Sequence, residues 1–397
     1  MRRFEILDGL RGYFLVFMLL HHLPLSAGVP LAGLHHGSLG YVQDAQGFVF
    51  LSGLVFAVAG TRLSHRGRAD EVGARARARA AEIARHALGL VAALLTLALA
   101  VPASAAFWGP FLPDLHLAPA THGPLALLLL YQPSFLDILP QYILYLLAAP
   151  VLLRLILAGR GAAVAAGSLA AWGAVQLGWH LPLTSAVEQA LGTVLPGAFL
   201  RGHFNPFAWQ VLFVSGLLAG ADAARGAPAL GRWLEPGRTG PLRLALAVLL
   251  VFLLYRIGFA LGWLEGPAAE RFGAAANRTE FGPVFLLNFA ALAYAVAWLV
   301  VAGPRSGSAA ARRLAGWLRR LLEHSFLRLL GRHSLPVYAF HVVLVYAAAA
   351  LEWAAGPLGP AAATALALAA VAALALPALR REERALALRP RGTAPGG

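Results

Sequence analysis

The chain alternates long apolar stretches with short polar ones, and the apolar stretches are of one size. Near 6–26, 43–61, 86–105, 136–158, 162–180, 206–224, 244–262, 283–302, 334–353 and 361–379 they reach the ~20 residues that carry a helix through a bilayer core. The pattern predicts an all-α fold, a polytopic integral-membrane helical bundle of about ten transmembrane helices spanning residues 1–379. Residues 122–133 are apolar but too short to span, and are placed at the interface or in a re-entrant turn. Residues 380–397 form a basic cytoplasmic tail, polar and Pro/Gly-rich at its end, expected to be disordered. Arg2 and Arg3 ahead of an apolar run are like a signal peptide, but Asp8 and Arg11 interrupt that run, which reads as a retained helix.

Side chains that do not belong in hydrocarbon carry the functional information. Asp8, Arg11, His21, His22, Asp44, Asp137, Arg256 and His341 fall inside the predicted spans, with Ser52, Gln141, Gln210 and Asn288 as neutral polar companions. In the segment LDGLRGYFLVFMLLHH, Arg11 and His22 are eleven residues apart. At ~100° and ~1.5 Å per residue they share a helical face to within about 20°, separated by about 16 Å along it. His21 points roughly 80° away from Arg11 by the same arithmetic, and Asp8, one turn earlier, is placed to hold the guanidinium. Two readings fit this geometry: both residues line one cavity, or Arg11 snorkels inward and the histidines mark the outer interface.

Composition agrees with the pattern. Hydrophobic residues make up 59%, charged residues 13%, and the mean hydropathy is +0.69. All 32 basic residues are arginine, and they are distributed unevenly. With the N-terminus inside, the inner loops hold Arg62, Arg66, Arg68, Arg75, Arg77, Arg79 and Arg85, then Arg154 and Arg160, Arg225 to Arg243, and Arg305 to Arg328. The outer loops hold Arg201, Arg271 and Arg278. That asymmetry places both termini in the cytoplasm and accounts for the net charge of +14 without nucleic acid. Cysteine is absent, which removes disulfides, thiolate metal sites and a cysteine nucleophile. His35 and His36 in LHHGS have no matching carboxylate set nearby in sequence, so they read as an outer-loop pair and no metal site is expected.

The Arg11 to His22 spacing resembles the first-helix signature of the integral-membrane acyltransferase family 3. DAQGFVFLSGLVFA at 44–57, DILPQYILYLLAAP at 137–150, FNPFAWQVLFVSG at 204–216 and LGRHSLPVYAFHVVLVY at 330–346 resemble one branch of it, the OpgC proteins that succinylate periplasmic glucans. The resemblance implies acyl transfer from cytosolic acyl-CoA, succinyl-CoA or acetyl-CoA as cosubstrate, to a hydroxyl of an extracytoplasmic carbohydrate, with no tightly bound cofactor. It implies that Arg11 and His22 are the essential pair and that Ser52 and His341 are motif positions. The arginine pair that many relatives carry after the second helix has no clean counterpart, although Arg62 and Arg66 lie nearby.

The chemistry is compatible with those residue types. A thioester is already activated, so the attacking hydroxyl chiefly needs a base, and histidine titrates in the right range. Arg11 is suited to a phosphate or carboxylate of the donor. His22 is expected near the outer face. Arg256 has two readings, a contact to a succinyl carboxylate or an ion pair with Asp44 or Asp137, and both carboxylates are candidate substrate contacts as well. A secondary transporter or glycan exporter is the competing class, since intramembrane ionisable residues serve carriers too; no inverted repeat supports it.

Overall fold

A computed structural model describes residues 5–226 and 229–388. The principal helices are α1 (Glu5–His22), α2 (Asp44–His65), α3 (Asp70–Ala100), α4 (Ile138–Leu155), α5 (Gly161–Gln176), α6 (Pro206–Ala224), α7 (Thr239–Ala260), α8 (Pro283–Val301), α9 (Ala309–Leu322), α10 (Ser325–Arg332), α11 (Ser334–Ala355), α12 (Pro360–Ala373) and α13 (Ala375–Ala387). Among the described residues there is no named strand, and an isolated bridge joins Tyr131 to Arg201. The protein is an all-α, polytopic membrane bundle.

Among the described residues, eight helical runs are long and apolar enough to cross a bilayer, and the difference from the expected ten has two physical reasons. Helix α1 carries Glu5, Asp8 and Arg11 in 18 residues, too many charges for a purely apolar span. Residues Ile138–Gln176 form one run of 39 residues. At ~1.5 Å per residue that run would measure about 58 Å, nearly twice a ~30 Å hydrocarbon core. Gly159, at φ 83°, breaks it into α4 and α5. A left-handed residue at this point costs a glycine little and would strain any other side chain. The short apolar stretch near 122–133 contains the end of a helix over Pro119–Leu127, then a turn in which Leu129 has φ 59°.

The tail is a correction. Residues 380–387 continue as the helix α13, because Glu382 is held by Arg332 at 3.1 Å and by His333 at 3.4 Å. Residues 389–397 lie outside the described residues.

The chain forms two compact units, one from residues up to Ala32 together with those from Arg320 onward, the other from Gly33–Arg319. In the second unit, α2 crosses α6 on glycines. A methyl group built on Gly53 would lie 2.1 Å from the Phe213 carbonyl oxygen, and methyls on Gly216 and Gly220 would lie 2.1 and 2.2 Å from the carbonyl oxygens of Phe50 and Leu54. This is the small-residue packing that brings membrane helices into backbone contact where no hydrophobic force distinguishes helix from lipid.

In the first unit the same device positions α1. A methyl on Gly12 would fall 2.0 Å from the Leu327 carbonyl oxygen, and one on Gly9 1.7 Å from that of Leu322. From the other side, one on Gly331 would fall 1.7 Å from the Asp8 carbonyl oxygen. Glu5 and Arg328 close the contact at the N-terminal end of α1, at 2.6 Å. Helix α1 therefore lies backbone to backbone on α10, in a register that a side chain at any of the three glycines would disturb. Gly12→Ala is expected to lower thermal stability in detergent by the ~1–3 kcal/mol typical of overpacking. Gly173→Ala in α5, where a methyl meets nothing within 4 Å, should be neutral; equal melting temperatures for both variants would contradict this packing.

Candidate active site

The residues of α1 are held at three levels. Its apolar face, with Leu15, Met18, Leu19 and Leu20, is buried, and its N-terminal half rests on the glycine contact. Beyond His22 the chain is not helical, and the Ser26 amide donates to both carboxylate oxygens of Glu352, at 2.9 and 3.1 Å. Glu352 also accepts from the Leu358 amide at 3.3 Å, so a buried carboxylate near the end of α11 ties down the strand of chain leaving α1.

Between these anchors, His22 Nδ1 lies 3.0 Å from His341 Nε2, with the two rings tilted by 37°. His341 is fully enclosed, and its Nδ1 donates to the Tyr338 carbonyl oxygen one turn earlier at 2.7 Å. His22 is half-buried, whereas its neighbour His21 is exposed. The structure thus joins two candidates that the sequence treats separately. Arg11, half-buried, is on the His22 face of α1, about 16 Å away along the axis.

His341 lies seven residues from the start of α11 and fourteen from its end, about 10 and 21 Å by helical rise. His22 meets it there at the end of α1, which stops after 18 residues, and a non-helical segment makes up the distance to Glu352.

The remaining candidates do not join one cluster. Asp44, buried, accepts from His35 Nε2 at 2.9 Å, and His35 Nδ1 in turn accepts from the Gly37 amide at 3.0 Å. His35, read from the sequence as one of an outer-loop pair, is therefore a buried clamp on the start of α2; local sequence gave no sign of a partner nine residues on. Asp137, just before α4, accepts from the His203 amide at 3.2 Å and lies within electrostatic reach of Arg278. Arg256 donates to the Gly40 carbonyl at 3.1 Å and sits over the Tyr41 ring, so neither carboxylate is its partner. Burial raises the Tyr41 phenol above its ordinary pKa, and the Arg256 charge works against that rise. Ser52 is half-buried beside Gly53 at the α2–α6 crossing.

The neutral companions link helices. Gln210 and Ser168 exchange bonds of 2.7 Å, Gln141 accepts from Tyr145, and Asn288 accepts from the Tyr41 amide. Glu352 escaped the sequence reading because it stands at the edge of a predicted span, where water contact is the simpler explanation. Asp44→Ala and His35→Ala are each expected to cost about 3–5 kcal/mol of stability, as for any buried pair with one partner removed. The double variant should cost little more than either single one, measured by thermal unfolding; additive losses would separate the two residues.

Comparison with known proteins adds one match. A family model described as OpgC protein fits residues 2–385, nearly the whole chain. No curated protein matches, and no solved structure matches.

Proposed function

We propose, for a chain that belongs to the OpgC protein family and is on that ground a membrane transferase, that it transfers an acyl group to a glucan across the bacterial inner membrane. The donor is cytosolic acyl-CoA, succinyl-CoA before acetyl-CoA, and the acceptor is a hydroxyl of an extracytoplasmic glucan. The observation that supports the reading is His22, half-buried at the end of α1 and hydrogen-bonded to a second histidine. An imidazole so placed is a general base with a partner to orient it.

In the reaction, the hydroxyl oxygen bonds to the thioester carbonyl carbon as its proton passes to His22. The C–S bond then breaks, and the coenzyme A thiolate leaves and takes up a proton. Arg11, on the same face of α1, binds a phosphate or carboxylate of the donor through its planar fork. No step calls for a covalent acyl-enzyme, so Ser52 is a packing residue of the α2–α6 crossing under this reading.

Purified protein given radiolabelled succinyl-CoA and glucan should place label on the glucan, whereas a carrier would make no ester. His22→Ala should reduce transfer by at least the ~10²-fold of a lost general base. Arg11→Lys, which keeps the charge and loses the fork, should raise the donor KM far more than the acceptor KM. Unchanged kinetics in both variants would remove α1 from the chemistry.

The direction of transfer follows from the arginine distribution. Single cysteines introduced into this cysteine-free chain should react with an impermeant maleimide in spheroplasts at positions within 181–205 and stay unlabelled within 62–85. Reversed labelling would invert donor and acceptor sides.

A further inference from the structure

The bonds of His341 determine more than its position. A carbonyl oxygen has no proton to give, so the 2.7 Å contact between His341 Nδ1 and the Tyr338 carbonyl requires the proton to be on Nδ1. In the neutral ring, Nε2 then has the lone pair. Nε2 is the atom that faces His22 Nδ1 at 3.0 Å, and a hydrogen bond between two nitrogens needs one proton between them. That proton belongs to His22 Nδ1. A neutral imidazole has one N–H, so the lone pair of His22 is on Nε2.

We propose that His341 is a positioning residue, which passes the polarity of the Tyr338 carbonyl to His22 and holds it in the tautomer whose Nε2 accepts the substrate proton. Which ring nitrogen of a histidine is basic is set by the hydrogen bond that the other one makes. In the Ser-His-Asp triad a carboxylate does this, and a partner that imposes the wrong tautomer there costs on the order of 10⁴ in turnover. Here a second imidazole, itself fixed by a backbone carbonyl, takes that part. The arrangement accounts for the total enclosure of His341. A residue that touched substrate would need an open face, and this one needs only its two bonds. It also separates the roles of the pair: His22 reacts and His341 orients. The catalytic consequence rests on the acyl-transfer reading above, but the tautomer itself does not.

The two are tested separately. Protein labelled with ¹⁵N-histidine in nanodiscs, with His22 and His341 assigned from the spectra of His22→Asn and His341→Gln, reports each ring nitrogen directly. The expected result is a protonated Nδ1 and an unprotonated Nε2 on both rings at neutral pH. A His22 protonated on Nε2 alone, or a doubly protonated His341, would overturn the proposal. In the transfer assay, His341→Leu should lower kcat by on the order of 10²–10³, with donor and acceptor KM within about twofold. His341→Gln, whose amide oxygen is able to accept from His22 Nδ1, should recover at least tenfold of that loss. Equal loss in both variants at equal melting temperature would make His341 a packing residue. If the wild-type protein transfers no acyl group, the functional reading falls while the spectra still decide the tautomer.

Discussion

Three glycines determine where α1 lies. Gly9, Gly12 and Gly331 let the α1 backbone rest on the carbonyl oxygens of the neighbouring segment, and that segment's backbone rest on α1, at distances no side chain would permit. In a membrane this is a strong positional device, because lipid tails are as apolar as leucine and side-chain burial alone does not select one register over another. A shift of one residue along α1 would move His22 by ~1.5 Å and turn it by ~100°, enough to separate it from His341. The salt bridge of Glu5 with Arg328 and the Glu352 clamp on Ser26 secure the two ends of the same register. The candidate site is accordingly a product of backbone contact first and polar chemistry second.

How much of this was legible in the sequence depended on the range of each interaction. The Arg11 and His22 face of α1 followed from helical periodicity within one segment, and the exposure of His21 agrees with it. The broken run at Gly159 was legible as two apolar stretches. The partner of His22 was not: His341 is 319 residues away, and no local pattern pairs them. The partner of Asp44 was not legible either: His35 read as one of an outer-loop pair, and only the folded loop buries it with Asp44. The ion-pair reading of Arg256 shows the reverse case, since an intramembrane cation invited Asp44 or Asp137 as partner and found a carbonyl and an aromatic ring instead.

The two kinds of buried polar group in this chain differ in what they do. Gln210 with Ser168, Asn288 with the Tyr41 amide, and Asp44 with His35 each satisfy a partner within the second unit and hold helices or loops together. The histidine pair of the first unit joins a fully enclosed ring, His341, to a half-exposed one, His22. Polar groups in the first class explain how a chain so apolar attains one structure. The second class is the one to which the proposed function assigns chemistry.

The position of the histidine pair along α11 bears on what the proposed reaction would have to carry across a membrane. With the proposed base some 10 Å from one end of α11 and some 21 Å from the other, neither a nucleotide-bearing donor nor a bulky glycan would need to pass through. Under that proposal each would approach from its own compartment as far as its size permits, and the only group to change sides would be the acyl group, carried by the exchange of a sulfur bond for an oxygen bond. Translocation and catalysis would then be a single event, driven by the group-transfer potential of the thioester rather than by an ion gradient.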